Sequence, residues 1–239
     1  MRQLGAEGLM AVADTRIARL RQYVWDAPTR LFHWLLVGLL GFSWYSAETY
    51  QMEWHRYSGL AILGLVAFRI VWGFVGSGTA RFGGFLKGPR AALAYLRSKG
   101  HDESVAGHNP LGGWSVALLL LLLTVQTLSG LFAVDIDGIE SGPLSYLVDF
   151  DRGRQAAAIH GAAFALLKLV AALHVAAILF YLVVKRRNLI TPMLTGYRRV
   201  MTAQAAVAPA SRIGLIVAVA VGAGVVALVY NGLPGPLAP

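Results

Sequence analysis

Four histidines lie within or at the edges of apolar stretches: His33, His55, His160 and His174. The last two sit fourteen positions apart in IHGAAFALLKLVAALHVAAILFYLVV, a run apolar enough to span a bilayer. At about 100° per residue, fourteen steps come to ~1400°, within roughly 40° of whole turns, so both imidazoles lie on one helix face. Their separation along the axis is about 21 Å, which places them near opposite edges of a ~30 Å hydrocarbon core. Ionisable residues inside a membrane are costly and mark function. Two on one face, at two depths, read as two stacked metal or haem sites.

The elements that must position them are membrane helices. The chain has 239 residues, 56% hydrophobic and only 14% charged, with a mean hydropathy of +0.59. Soluble domains carry about 25% charged residues, so this composition is that of a membrane protein. The net charge of +9 does not imply nucleic-acid binding, because the basic residues flank apolar spans instead of forming one patch. There is no cysteine, which excludes disulfides, covalently attached c-type haem and iron–sulfur clusters held by this chain. A redox centre here must be held by histidine or methionine.

Five spans are expected: Leu31–Tyr45, His55 to about Gly76, Gly112–Val134, Ala156–Val184 and Ile213–Tyr230. The first has the outline of a signal peptide, with basic residues, an apolar run and a small-residue end. His33 and the Trp and Phe residues in its core mark it instead as a retained helix. Residues 1–30 read as a basic cytoplasmic tail, with Thr15–Trp25 lying on the membrane surface. The basic loop 77–110 contains Pro89–Ser98, whose initial proline and helical apolar spacing predict an interfacial helix. The connection Asp135–Gln155 is acidic. Sixteen of the 21 Lys and Arg fall in the tail, the second–third loop and the fourth–fifth linker (five, five and six). The positive-inside rule then sets the N-terminus in the cytoplasm and the C-terminus outside. The expected architecture is all-α, an integral membrane bundle: a tail (1–30), a four-span core (31–199), and a linker with a fifth span (200–239).

This topology sorts the histidines by depth. His55 and His160 both open their spans at the outer side, while His33 and His174 both lie towards the cytoplasmic side. His101 and His108 fall in the cytoplasmic loop and read as solvated or capping residues. Isolated hydrogen-bonded histidines explain one such residue less strainedly than four in matched pairs. Zinc fits less well, since two histidines without nearby Cys, Asp or Glu leave its usual set incomplete. Haem needs only two axial protein ligands, so a b-type haem with two histidines is the best chemical fit. Small residues suited to close approach accompany each histidine: Gly38 and Gly41, Ser58 and Gly59, Gly161 to Ala163, and Ala171. Arg56 and Arg69 are candidate partners for haem propionates, with snorkelling as the alternative for Arg69. Lys168, between the two levels, has no role in this scheme.

The residues resemble the bacterial di-haem cytochrome b family, often named cytochrome b561, that includes the membrane subunit of nickel–iron hydrogenases. The resemblance covers about residues 23–199. It rests on Val24-Trp25-Asp26, Arg30-Leu31-Phe32-His33-Trp34, His55-Arg56-Tyr57-Ser58-Gly59, Phe68-Arg69-Ile70-Val71-Trp72-Gly73, Gly107-His108-Asn109-Pro110-Leu111-Gly112, and His160 with His174. It implies a helical bundle holding two haem b groups on His33, His55, His160 and His174. It also implies electron movement between a quinone pool and a partner redox protein, either a c-type cytochrome or a dehydrogenase or hydrogenase subunit. The histidine-free fifth span departs from that pattern.

The expected function is transmembrane electron transfer in the bacterial inner membrane, as an electron-transfer subunit of an oxidoreductase complex. The acidic outer connection is positioned to steer a basic partner, although charge bias alone also explains it. Two alternatives stand beside this reading: a self-contained superoxide:quinone oxidoreductase, and a haem-free membrane transporter or anchor whose histidines form a proton or metal path.

Overall fold

The structure, a computed structural model, describes residues 20–97, 107–200 and 206–232. Helices dominate because a chain surrounded by lipid must satisfy its backbone hydrogen bonds within each segment. Among the described residues the order is β1 (Leu20–Tyr23), α1 (Ala27–Glu48), α2 (Met52–Val75), α3 (Phe82–Phe85), α4 (Pro89–Arg97), α5 (Pro110–Phe132), a 3₁₀ turn (Ser145–Leu147), α6 (Phe150–Val183), α7 (Ile190–Thr195), β2 (Tyr197–Val200) and α8 (Arg212–Tyr230). The predicted helix at Pro89 is present as α4; His101 lies outside the described residues.

Local signals explain where the long helices begin. The Asp26 carboxylate accepts from Thr29 N at 2.6 Å, with a proline in the first turn, so α1 starts four residues before its apolar run. Asn109 caps α5 in the same way (Gly112 N, 2.7 Å). Asp149 caps α6 (Arg152 N, 2.8 Å). That helix therefore begins at Phe150 and not at Ala156, its charged first turns hiding the start from a hydropathy reading.

Helices α2, α5, α6 and α8 are long and apolar enough to cross a membrane. Helix α1, at 22 residues, is long enough, but His33, Trp34, Ser43, Trp44, Tyr45 and Ser46 dilute its apolar run. Helix α2 is the hub of the bundle, packing against α1, α5 and α8, while α6 packs along α5. The α2–α8 contact is made by glycines. A Cβ added at Gly222 would stand 2.7 Å from Gly64 O, and one at Gly64 would stand 2.6 Å from Val226 Cγ2. Such close approach is how membrane helices gain packing without a hydrophobic drive. It gives the fifth span, whose role the sequence left open, a packing role. Midway along the bundle Ile62, Val66, Leu123 and Leu167 form an apolar layer joined by Leu36, Leu39 and Leu40. Helix α6 itself buries only Gly153, Ala163 and Leu167 of its 34 residues.

The expected tail differs from what is observed. Residues from Leu20 onward belong to the bundle: β1 pairs antiparallel with β2, in the register Leu20 to Val200 and Tyr23 to Tyr197. Beyond the ribbon, Val24 N and Trp25 N both donate to Gly196 O, at 2.8 and 3.2 Å. Gly196 has a φ of +86° and ends α7 in the left-handed region that favours glycine. Two four-residue strands separated by the whole bundle leave no signal in local hydropathy, which is why this segment reads as a surface tail.

Candidate functional site

At one end of the bundle His55, in the first turn of α2, meets His160 of α6. Their ring centroids are 6.0 Å apart and the planes cross at 84°. Each ring is held at Nδ1 by a backbone carbonyl. His55 Nδ1 lies 2.9 Å from Ser43 O, with the Ser43 hydroxyl 3.2 Å away, and His160 Nδ1 lies 2.8 Å from Gln126 O. A proton on Nδ1, donated to those carbonyls, leaves the lone pair on Nε2. A carbonyl held on Nδ1 in this way orients a histidine for metal ligation through Nε2. The Gln126 side-chain Nε2 reaches His160 Nε2 at 2.9 Å. Gly130 gives the His160 ring its room, since a Cβ there would come within 2.8 Å of Cε1. Arg56 does not stand free beside this pair: its Nη1 bonds Glu140 Oε2 at 2.6 Å, with more than a third of each side chain exposed.

At the other end of the bundle lie His33, near the start of α1, and His174 of α6. His33 Nδ1 is enclosed without a hydrogen-bond partner, and the Trp34 ring stands edge-on 4.9 Å away. His108 joins this end, contrary to its reading as a solvated or capping residue. Its ring packs 4.6 Å from Trp25 and 4.9 Å from Phe85, with Nδ1 enclosed and unpartnered. That enclosure, with the charges of Arg69 and His174 acting the same way, pushes the His108 imidazole down to about 3. It is therefore neutral at physiological pH.

Arg69 is 2% exposed, so it is enclosed by protein and does not snorkel. Its Nη2 donates to Ala80 O at 3.2 Å, its guanidinium lies over Phe82 and Phe85, and Nη1 has no partner. Beside it Asp26 is the acceptor of a buried network. Besides capping α1, its carboxylate takes hydrogen bonds from Trp72 Nε1 (3.2 Å) and the Ser77 hydroxyl. The motif pieces Trp25-Asp26, Arg69, Trp72 and His108 thus converge in space. Lys168, between the levels, finds a partner in aromatic faces, with Nζ 4.8 Å from the Phe164 centroid and 5.5 Å from Trp44.

Three residues gained a role only here. Gln126 is the one amide in an otherwise apolar span, and a polar group at membrane depth could have flagged it. Asp26 announces itself in sequence only as a helix cap. For His108, nothing in the string distinguishes an enclosed loop histidine from a solvated one. Among the described residues no three His, Asp or Glu side chains converge as a metal site.

The helices form an all-α membrane bundle in which two imidazoles from separate segments, His55 and His160, face one another. The family model of prokaryotic cytochrome b561 matches residues 24–196, well over half of the chain, and the chain belongs to that family. No curated protein and no solved structure matches it. Membership points to a bacterial membrane protein of transmembrane electron transfer by b-type haem.

The residues present fit that group. His33 Nδ1 and Arg69 Nη1 are enclosed polar atoms with no protein partner, as is Gln126 Oε1. A Cβ built at Gly38, Gly41, Gly59 or Gly161 meets nothing within 4 Å, so these glycines face open space beside the histidines.

Proposed function

We propose that this chain conducts electrons across the bacterial inner membrane through two haem b groups. One would be held by His55 and His160, the other by His33 and His174. The observation that carries the reading is the His55–His160 pair: two imidazoles from different helices, facing at 6.0 Å, each anchored at Nδ1 by a backbone carbonyl. A b-type haem with two histidine ligands supplies reversible one-electron exchange and no open coordination site.

The chain's own residues supply the rest. The carbonyls of Ser43 and Gln126 fix the tautomer and aim Nε2. The layer around Val66 and Leu167 excludes water between the levels. Arg69, with a free enclosed donor, is suited to a propionate carboxylate. Arg56 offers the same at its own level while already paired with Glu140. Helix α1 is the first of five spans and α8 the fifth, with the N-terminus cytoplasmic and the C-terminus periplasmic. Electrons pass between quinone at one level and a partner redox protein, a c-type cytochrome or a dehydrogenase or hydrogenase subunit, at the other.

Haem content and reduced-minus-oxidised spectra test this on wild type and on His33→Ala, His55→Ala, His160→Ala and His174→Ala. The expected result is two b haems in wild type and one in each variant, with losses falling into the pairs 33/174 and 55/160. Full haem retention in any variant removes that histidine from the ligand set.

A further inference from the structure

The β1–β2 ribbon carries a charge pattern that its own strands do not neutralise. In the antiparallel register Arg21 stands directly opposite Arg199, and Tyr23 opposite Tyr197. Directly opposed residues share a face, as do residues two apart along a strand. One face therefore presents Arg21, Arg199, Tyr23 and Tyr197, all four exposed, while Gln22 and Arg198 occupy the other and hydrogen-bond to each other at 3.4 Å. Like charges directly opposed on a sheet destabilise it. Among the described residues neither arginine has a carboxylate partner; Arg21 is 4.8 Å from the centroid of the Tyr197 ring. The Tyr23 and Tyr197 rings meet edge-on at 5.4 Å and make a firm aromatic floor beside the charges.

The geometry points to this face as a binding site for the headgroup of an anionic phospholipid. A phosphate between two guanidiniums neutralises the opposed pair and accepts from both forks. Tyrosines are the side chains that membrane proteins set at headgroup depth. The ribbon lies next to α1 and α7 of a membrane bundle, where such headgroups are available. Binding there also has a structural consequence. The chain before α1 and the chain after α6 meet at this ribbon, at Val24 and Trp25 with Gly196, and where Arg30 Nη1 and Trp34 Nε1 donate to Leu194 O and Met193 O. A lipid joining Arg21 to Arg199 clamps the same junction.

The test uses the full-length, haem-loaded protein in neutral detergent, with native mass spectrometry to read bound lipid. Phosphatidylglycerol, phosphatidylcholine and inorganic phosphate are titrated separately against wild type, Arg21→Gln/Arg199→Gln, Arg21→Lys/Arg199→Lys and a control, Lys87→Gln/Arg90→Gln. Two surface cations predict a loss of roughly tenfold to thirtyfold in phosphatidylglycerol affinity for the glutamine pair. The lysine pair, which keeps both charges but loses the forks, recovers only part of the affinity, and the control changes by less than about twofold. The haem spectrum of the glutamine pair should match wild type, which separates this site from the histidine pairs. Equal losses in ribbon and control variants, equal binding of phosphatidylcholine, or displacement of the lipid by inorganic phosphate would each overturn the assignment.

Discussion

The two ends of the bundle hold their histidines by different means. At the His55–His160 end the rings are oriented one by one, through Nδ1 contacts to the carbonyls of Ser43 and Gln126, while Arg56, next to His55 in the chain, sits in a half-exposed pair with Glu140. At the His33–His174 end the order is reversed. The His33 ring has no hydrogen bond at Nδ1, while about two turns earlier α1 starts in a buried polar network of Asp26, Thr29, Trp72 and Ser77. One end fixes its rings through backbone carbonyls; the other leaves His33 Nδ1 enclosed and without a protein partner.

Five variants break or sharpen that contrast. The largest effect belongs to the proposed ligands: His160→Ala and His174→Ala should each halve haem content, and the two difference spectra should not superimpose. Next is Asp26→Ala, which strips the acceptor from three buried donors. It should cost about 3 kcal/mol and lower the melting temperature of the whole bundle, followed by circular dichroism in detergent. Gly130→Ala comes third. Its methyl group pushes on the His160 ring, so it should cost about 1–3 kcal/mol and alter the electron paramagnetic resonance signal of one haem only, that held by His55 and His160. A change in both signals would show that the ends are not independent. The smallest is Glu140→Gln. An ion pair this exposed is worth about 0–1 kcal/mol, so melting should hardly move, and what change there is should vanish in high salt.

The meeting of His55 with His160 was legible because spacing in a helix is geometry: fourteen residues return to one face, so His160 and His174 project from the same side of α6. The long helices were legible from hydropathy, apart from first turns capped by Asp26 and Asp149 outside the apolar runs. What escaped depends on contacts between distant segments. His108 differs from a solvated loop histidine only because Trp25 and Phe85 close on it. The ribbon joins residues near 20 to residues near 200, a pairing that no local window contains. Gly64 and Gly222 are unremarkable as letters and decisive once their helices cross. Lys168 looked anomalous in an apolar run until the rings of Phe164 and Trp44 supplied its surroundings.

Helix α6 contributes one histidine to each end, whereas α1 and α2 contribute one each. The interval between the two ends is thus written into a single uninterrupted rod, and no loop can stretch or shorten it. A residue inserted between His160 and His174 would swing one imidazole by about 100° relative to the other. The same insertion in the turn between α1 and α2 would be absorbed by the chain around Tyr50, which is 90% exposed. Length variation in this protein is therefore tolerable in its turns and forbidden along fourteen residues of one helix.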